Sequence, residues 1–113
     1  MDVFQTLADP TRRHIVEVLR GGEQQVGDVV EKAGISQSGV SRHLRILHES
    51  GFVSVRSDGQ RRLYALRPEP FRELDGWLDQ YRRLWEARLD RFGAALAAKQ
   101  RRARRAQRRS KRT

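Results

Sequence analysis

The sequence predicts a mainly α-helical fold that carries one small β-hairpin and ends in a long helix. Three observations lead there. Apolar residues recur at spacings of three and four through most of the chain before Gly51, and an Asp-Gly turn then separates two β-branched and aromatic runs. Aromatic and leucine side chains follow a helical stripe from Phe71 to Leu96. At 113 residues the chain has room for one compact domain and an appendage.

Asp2 to Ala8 places Val3, Phe4 and Leu7 on one helical face. Asp9-Pro10 supplies an N-cap followed by proline at the first helical position, so a second helix starts there. From Pro10 to Arg20 the inward stripe is Ile15, Val18 and Leu19, with Arg12, Arg13 and Glu17 expected in water, and Gly21-Gly22 ends the run. Val26, Val29, Val30 and Ala33 keep helical spacing within Gln25 to Ala33, although three valines in so short a run also suit a strand. Gly34 decides for helix, because it stands where a left-handed terminal residue is needed. Ile35 follows as an apolar plug and Ser36 as the cap of the next helix. From Gln37 to Glu49 the buried face is Val40, Leu44 and Leu47, with Ile46 beside them; the opposite face is Gln37, Ser38, Ser41, Arg42 and Arg45.

Beyond Gly51 the period changes. Phe52 to Arg56 and Arg61 to Leu66 read as strands around Ser57-Asp58-Gly59-Gln60, which makes a β-hairpin. Pro68 and Pro70 stop it, and Phe71, Leu74, Trp77, Leu78, Tyr81, Leu84, Trp85, Leu89, Phe92 and Leu96 mark a helix. Its ~28 residues would extend about 40 Å, longer than so small a domain can cover. Area therefore favours a seam with a second copy; intramolecular core and a pocket around Trp77, Tyr81 and Trp85 are the other uses open to this stripe.

The formal net charge of +10 invites a nucleic-acid reading, but its distribution matters more. Nine of the 24 Lys and Arg fall between Lys99 and Thr113, where there is no acid, which leaves 15 basic residues against 14 acidic ones in 1–98. The expected division is a DNA-binding and dimerisation domain over 1–98 and a disordered Arg-rich tail over 99–113. With no large apolar residue, that tail cannot dock on a core, and it can bind nucleic-acid phosphates by releasing counterions. The chain has no cysteine, hence no disulfide or thiolate metal site. No apolar run approaches the ~18 residues of a membrane span, and the N-terminus lacks the pattern of a secretory signal. A cytoplasmic, nucleoid-associated protein with no membrane contact is expected.

Helix, glycine-containing turn, second helix with a polar and basic outer face, then a hairpin with arginines: in that order the parts describe a winged helix-turn-helix. A major groove admits one α-helix, whose Gln, Ser and Arg side chains can reach base edges while its N-terminus favours phosphate. Arg61 and Arg62 would then lie on the flanking backbone or in the minor groove. Double-stranded DNA is the partner this arrangement suits. No Ser-His-Asp set, paired carboxylates or Gly-rich phosphate loop stands in a supporting context, so an enzyme is not expected. His14, His43 and His48 share no helix face, which speaks against a histidine metal site.

From about Phe4 to Tyr64 the chain resembles the ArsR/SmtB-type transcription regulators. LADPTRRHIVEVL is similar to the opening signature of that family, and ISQSGVSRHLRILHESGFVSVRSDGQRRLYAL to its recognition helix and wing. The resemblance implies that Ser36, Gln37, Ser38, Ser41, Arg42, His43 and Arg45 face DNA and that Arg61 and Arg62 serve the wing. It also implies a homodimer built on the first and last helices, here through Phe4, Leu74, Trp77, Leu78, Tyr81, Leu84 and Trp85, and repression as the usual mode. Metal sensors of the family commonly carry cysteines before the recognition helix, where this chain has QQVGDVVEKAG, or Asp and His ligands on the last helix, which here has no histidine. The chain is therefore identified as a member of the branch that senses no metal, with no cofactor. An effector, small molecule or protein, is not written in the sequence. The rival reading is a nonspecific architectural DNA- or RNA-associated protein in which the tail dominates.

Overall fold

The computed structural model describes residues 1–112, without the side chains of 110–112. Its elements are α1 (Val3–Ala8), α2 (Pro10–Leu19), β1 (Gln24–Gln25), α3 (Val26–Ala33), α4 (Gln37–Glu49), β2 (Val53–Asp58), β3 (Arg61–Leu66) and α5 (Glu69–Arg112). The chain divides into two compact units, Met1–Asp75 and the part of α5 from Gly76 onward.

In the first unit, side-chain caps set the helix ends. Asp2 and Gln5 form a capping box, in which the Gln5 N–H donates to Asp2 Oδ1 at 2.7 Å and the Asp2 N–H to Gln5 Oε1 at 2.9 Å. Asp9 Oδ1 accepts the N–H groups of Thr11 and Arg12 at 2.8 and 3.1 Å, with Pro10 at the start of α2 as expected.

Arg12 corrects the expectation that it is wet. It is only 9 % exposed, and its Nε and Nη2 donate to the carbonyls of Thr6 and Gln5 at 2.8 and 3.3 Å. Arg13 Nη1 donates to the carbonyls of Leu7 and Ala8 at 2.7 and 3.3 Å. The last carbonyls of a helix have no partner inside it. Two arginines of α2 thus satisfy the end of α1, and a charged pattern that read as solvated is a corner staple.

Ile15, Leu19, Val29, Val40, Leu44, Leu47, Phe52 and Val53 form the core, and Val3 closes it from α1. Phe71 stands edge-on to Phe52 with ring centroids 5.6 Å apart, which anchors the start of α5. The sheet has three strands in the order β1-β3-β2, all antiparallel, so the hairpin acquires a third strand. Helical spacing alone places Gln25 at the start of a helix, where the structure has strand. A two-residue strand is too short to display a period, and only its pairing with Leu63 and Tyr64 reveals it.

The second unit is helical throughout. Disorder was expected from Lys99, yet α5 continues to Arg112; Thr113 lies outside the described residues. Ala, Arg, Lys and Gln are strong helix formers, and adding residues to an existing helix carries no nucleation cost. Trp77, Leu78, Tyr81, Leu84, Trp85, Leu89, Phe92 and Leu96 are all exposed in the single chain. Among the described residues no helix is long and apolar enough to cross a membrane.

Candidate nucleic-acid interface

The approach to α4 is set by three residues. Gly34 ends α3 with φ +67°, a left-handed conformation that glycine adopts without a Cβ penalty, and its N–H donates to Val30 O at 3.0 Å. Ser36 then caps α4, its Oγ accepting the Gly39 N–H at 3.2 Å. A Cβ on Gly39 would lie 3.1 Å from both Ile35 Cγ2 and Ser36 Oγ, so the first turn is folded tightly on the residues before it. Val40, Leu44 and Leu47 bury the inner face, which turns Gln37, Ser38, Ser41, Arg42 and Arg45 into solvent.

The wing is β2 and β3, paired from Val53↔Leu66 to Asp58↔Arg61. The loop is Gly59-Gln60, with Asp58 still in the strand, and Gly59 takes φ +62° at the first loop position. Arg61 and Asp58 pair at 2.9 Å near the tip. Arg56 binds Glu23 through two short bonds of 2.8 and 2.6 Å, which holds the Glu23 carboxyl below its ordinary pKa. Arg56 is therefore committed to bracing the wing.

Between α4 and the wing lies a groove of about 440 Å³ lined by Val26, Gln37, Ser41, Arg45, His48, Val55, Arg62 and Tyr64. It unites Gln37, Ser41 and Arg45 with Arg62, four side chains expected to meet DNA. Arg42, Ser38 and Ser36 are exposed on α4 beside it, the Ser36 hydroxyl being shared with the cap and lying 3.4 Å from Ser38 Oγ. His48 and Tyr64 escaped the sequence reading as groove residues. Both were findable, since His48 follows Arg45 by three on a helix and Tyr64 follows Arg62 by two on a strand.

His43 stands apart from this set. It is half-buried, its Nδ1 is enclosed with no hydrogen-bond partner among the described residues, and its electrostatic influence falls on Asp9. The Asp9 carboxyl is held below its ordinary value, chiefly by the Arg12 N–H and further by Thr11 and the Arg12 guanidinium, against the opposing effect of burial. Of the residues expected at a dimer seam, Phe4 is 45 % and Trp85 56 % exposed, whereas Leu74 packs against the core of the first unit. Among the described residues no group of three or more His, Cys, Asp or Glu is placed to hold a metal ion.

The family model described as "Bacterial regulatory protein, arsR family" matches residues 9–55, which run from the cap of α2 into β2. The transcriptional repressor SdpR of Bacillus subtilis (strain 168) is 35 % identical over 77 residues, covering 68 % of this chain and 86 % of that one. The chain belongs to the ArsR family. A crystal structure of an ArsR family transcriptional regulator aligns with a TM-score of 0.63 and 32 % identity over 74 % of this chain and 87 % of its own. The homodimeric winged helix-turn-helix DNA-binding domain of Mb0332 from Mycobacterium bovis aligns at 26 % identity with a TM-score of 0.59, over 70 % of this chain and 73 % of that one. This ArsR-family chain is a DNA-binding transcription regulator with a winged helix-turn-helix, and not an enzyme.

Proposed function

We propose that this regulator represses transcription as a homodimer on an imperfect palindrome, with α4 of each copy in one major groove and half-sites about one helical turn apart. The observation that carries the reading is the groove shared by α4 and the wing, where Gln37, Ser41 and Arg45 meet Arg62. Gln37 and Ser38, at the N-terminal end of α4, reach base edges. Arg42 and Arg45 reach bases or phosphates, and Arg61 and Arg62 rest on the flanking backbone. Residues 1–98 supply reading and dimerisation together.

The dimer reading is supported by the exposed apolar side chains of α5 and Phe4, and by the homodimeric relative from Mycobacterium bovis. So many apolar side chains left in water on one helix of a monomer would be a liability. Operation without a metal cofactor is supported by the absence of cysteine from the sequence and of histidine from α5. We place its action in the cytoplasm, on the nucleoid. Selection of bound duplexes from random DNA tests the reading. A two-fold symmetric motif should emerge, and Gln37→Ala with Arg42→Ala should lose about 1 to 3 kcal/mol of discrimination per lost base contact while the dimer stays folded. Binding that enriches no motif would overturn it in favour of a nonspecific architectural role.

A further inference from the structure

We propose that Arg101, Arg104, Arg105 and Arg108 form a second phosphate-binding surface, which grips duplex DNA without regard to sequence and strengthens the hold of the reading unit. These four line one continuous patch of α5. The proposal rests on the DNA-reading function argued above and adds a surface that function does not need.

Helical order makes the patch one-sided. At about 100° per residue, Leu78, Tyr81, Leu89, Phe92 and Leu96 fall within about 40° of the direction of Trp85, and Trp77 and Leu84 about 80° and 100° to one side of it. On the same measure the four arginines fall about 100° to 200° away from it. The face of Trp85 is continued past Leu96 by Gln100, Ala103 and Gln107, which are uncharged, with Lys99 about 40° to one side as its one cation. A helix that pairs along its apolar face therefore keeps this arginine patch pointing away from the partner. The patch stays available when the seam is covered.

The chemistry selects the occupant. From Lys99 onward there is no acid to neutralise these guanidinium groups, and the four named arginines are all exposed. Past Leu96 there is no Trp, Phe, Leu or Ile either, so this stretch lacks the apolar face by which a basic helix enters a lipid interface. What remains is a row of planar cations suited to a regular array of phosphates. Duplex DNA is the polyanion that α4 already brings to the same molecule, so the second contact forms at a high effective concentration.

The test replaces all four arginines by glutamine in the full-length chain, with a second variant carrying lysine at the same positions. Both replacements are good helix formers, and circular dichroism should report unchanged helix content. The readout is the dependence of operator affinity on salt, since each phosphate contact on B-DNA contributes about 0.9 to the log–log slope. The glutamine variant should lose up to about 3.6 units of slope per protomer, and the lysine variant should keep most of it. The motif recovered from random DNA should be the same in all three proteins. An unchanged slope in the glutamine variant overturns the proposal, as does a loss confined to single-stranded RNA or to vesicles of anionic lipid. Failure of the reading function itself would appear differently, as loss of the motif with the slope intact.

Discussion

The two units of this regulator solve the problem of apolar surface in opposite ways. In Met1–Asp75 the large side chains close on one another, and Ile15, Val29, Leu44 and Phe52 have no exposed surface. Past Gly76, Trp85, Leu89 and Phe92 lie more than half in solvent. One unit closes its apolar surface within itself, and the other leaves it exposed in the single chain. The comparison separates residues that hold the fold from residues left free for the proposed dimer, although both sets read as apolar in the sequence.

The largest effect should come from breaking the finished core. Phe52→Ala removes the ring that Phe71 packs against and should cost about 3 to 5 kcal/mol, seen as a lower denaturation midpoint at any protein concentration. If that variant unfolds normally, Phe52 is not the keystone between α4, the wing and the root of α5. Trp85→Ala offers the contrast. It should weaken dimerisation by about 2 kcal/mol or more while changing the dilute chain by no more than about 0.5 kcal/mol. Sedimentation at several concentrations separates the two, and a dimer as tight as the parent would put the seam elsewhere.

A smaller effect sharpens the account of the helix ends. Asp9→Ala should cost about 1 kcal/mol, because two N–H groups of α2 lose their acceptor. Asp9→Asn keeps a capping oxygen and should be nearly neutral at pH 7. The difference lies in acid. A carboxyl whose folded pKa is depressed contributes stability that is fully present above its unfolded value, near 3.8, and lost as pH falls through the lower folded value. The asparagine variant should lose less stability than the parent over that window; identical acid curves would remove Asp9 as a contributor.

Much of this could be read directly because the signals are local. Asp9-Pro10, Gly34 and Ser36 each act within a few residues of themselves, so three helix boundaries and the outer face of α4 were legible. What escaped depended on distance or on context. Gln24 and Gln25 become a strand only against β3, more than thirty residues away in the chain, and Arg12 is buried only because the end of α1 lies against it. His43 shares a helix with the exposed set, yet it is half-buried and its Nδ1 is enclosed. The basic stretch after Lys99 looked structureless because composition favours charge repulsion there, while propensity and an existing helix favour continuation.

The corner made by Arg12 and Arg13 also makes one helix depend on the next. A six-residue helix has too few internal bonds to persist alone, and α1 borrows the donors for its last carbonyls from the helix that follows. In a chain made from its N-terminus, α1 is written before α2, so its last carbonyls gain these donors only once α2 has been made. The shorter helix therefore depends on its successor for the donors that close it.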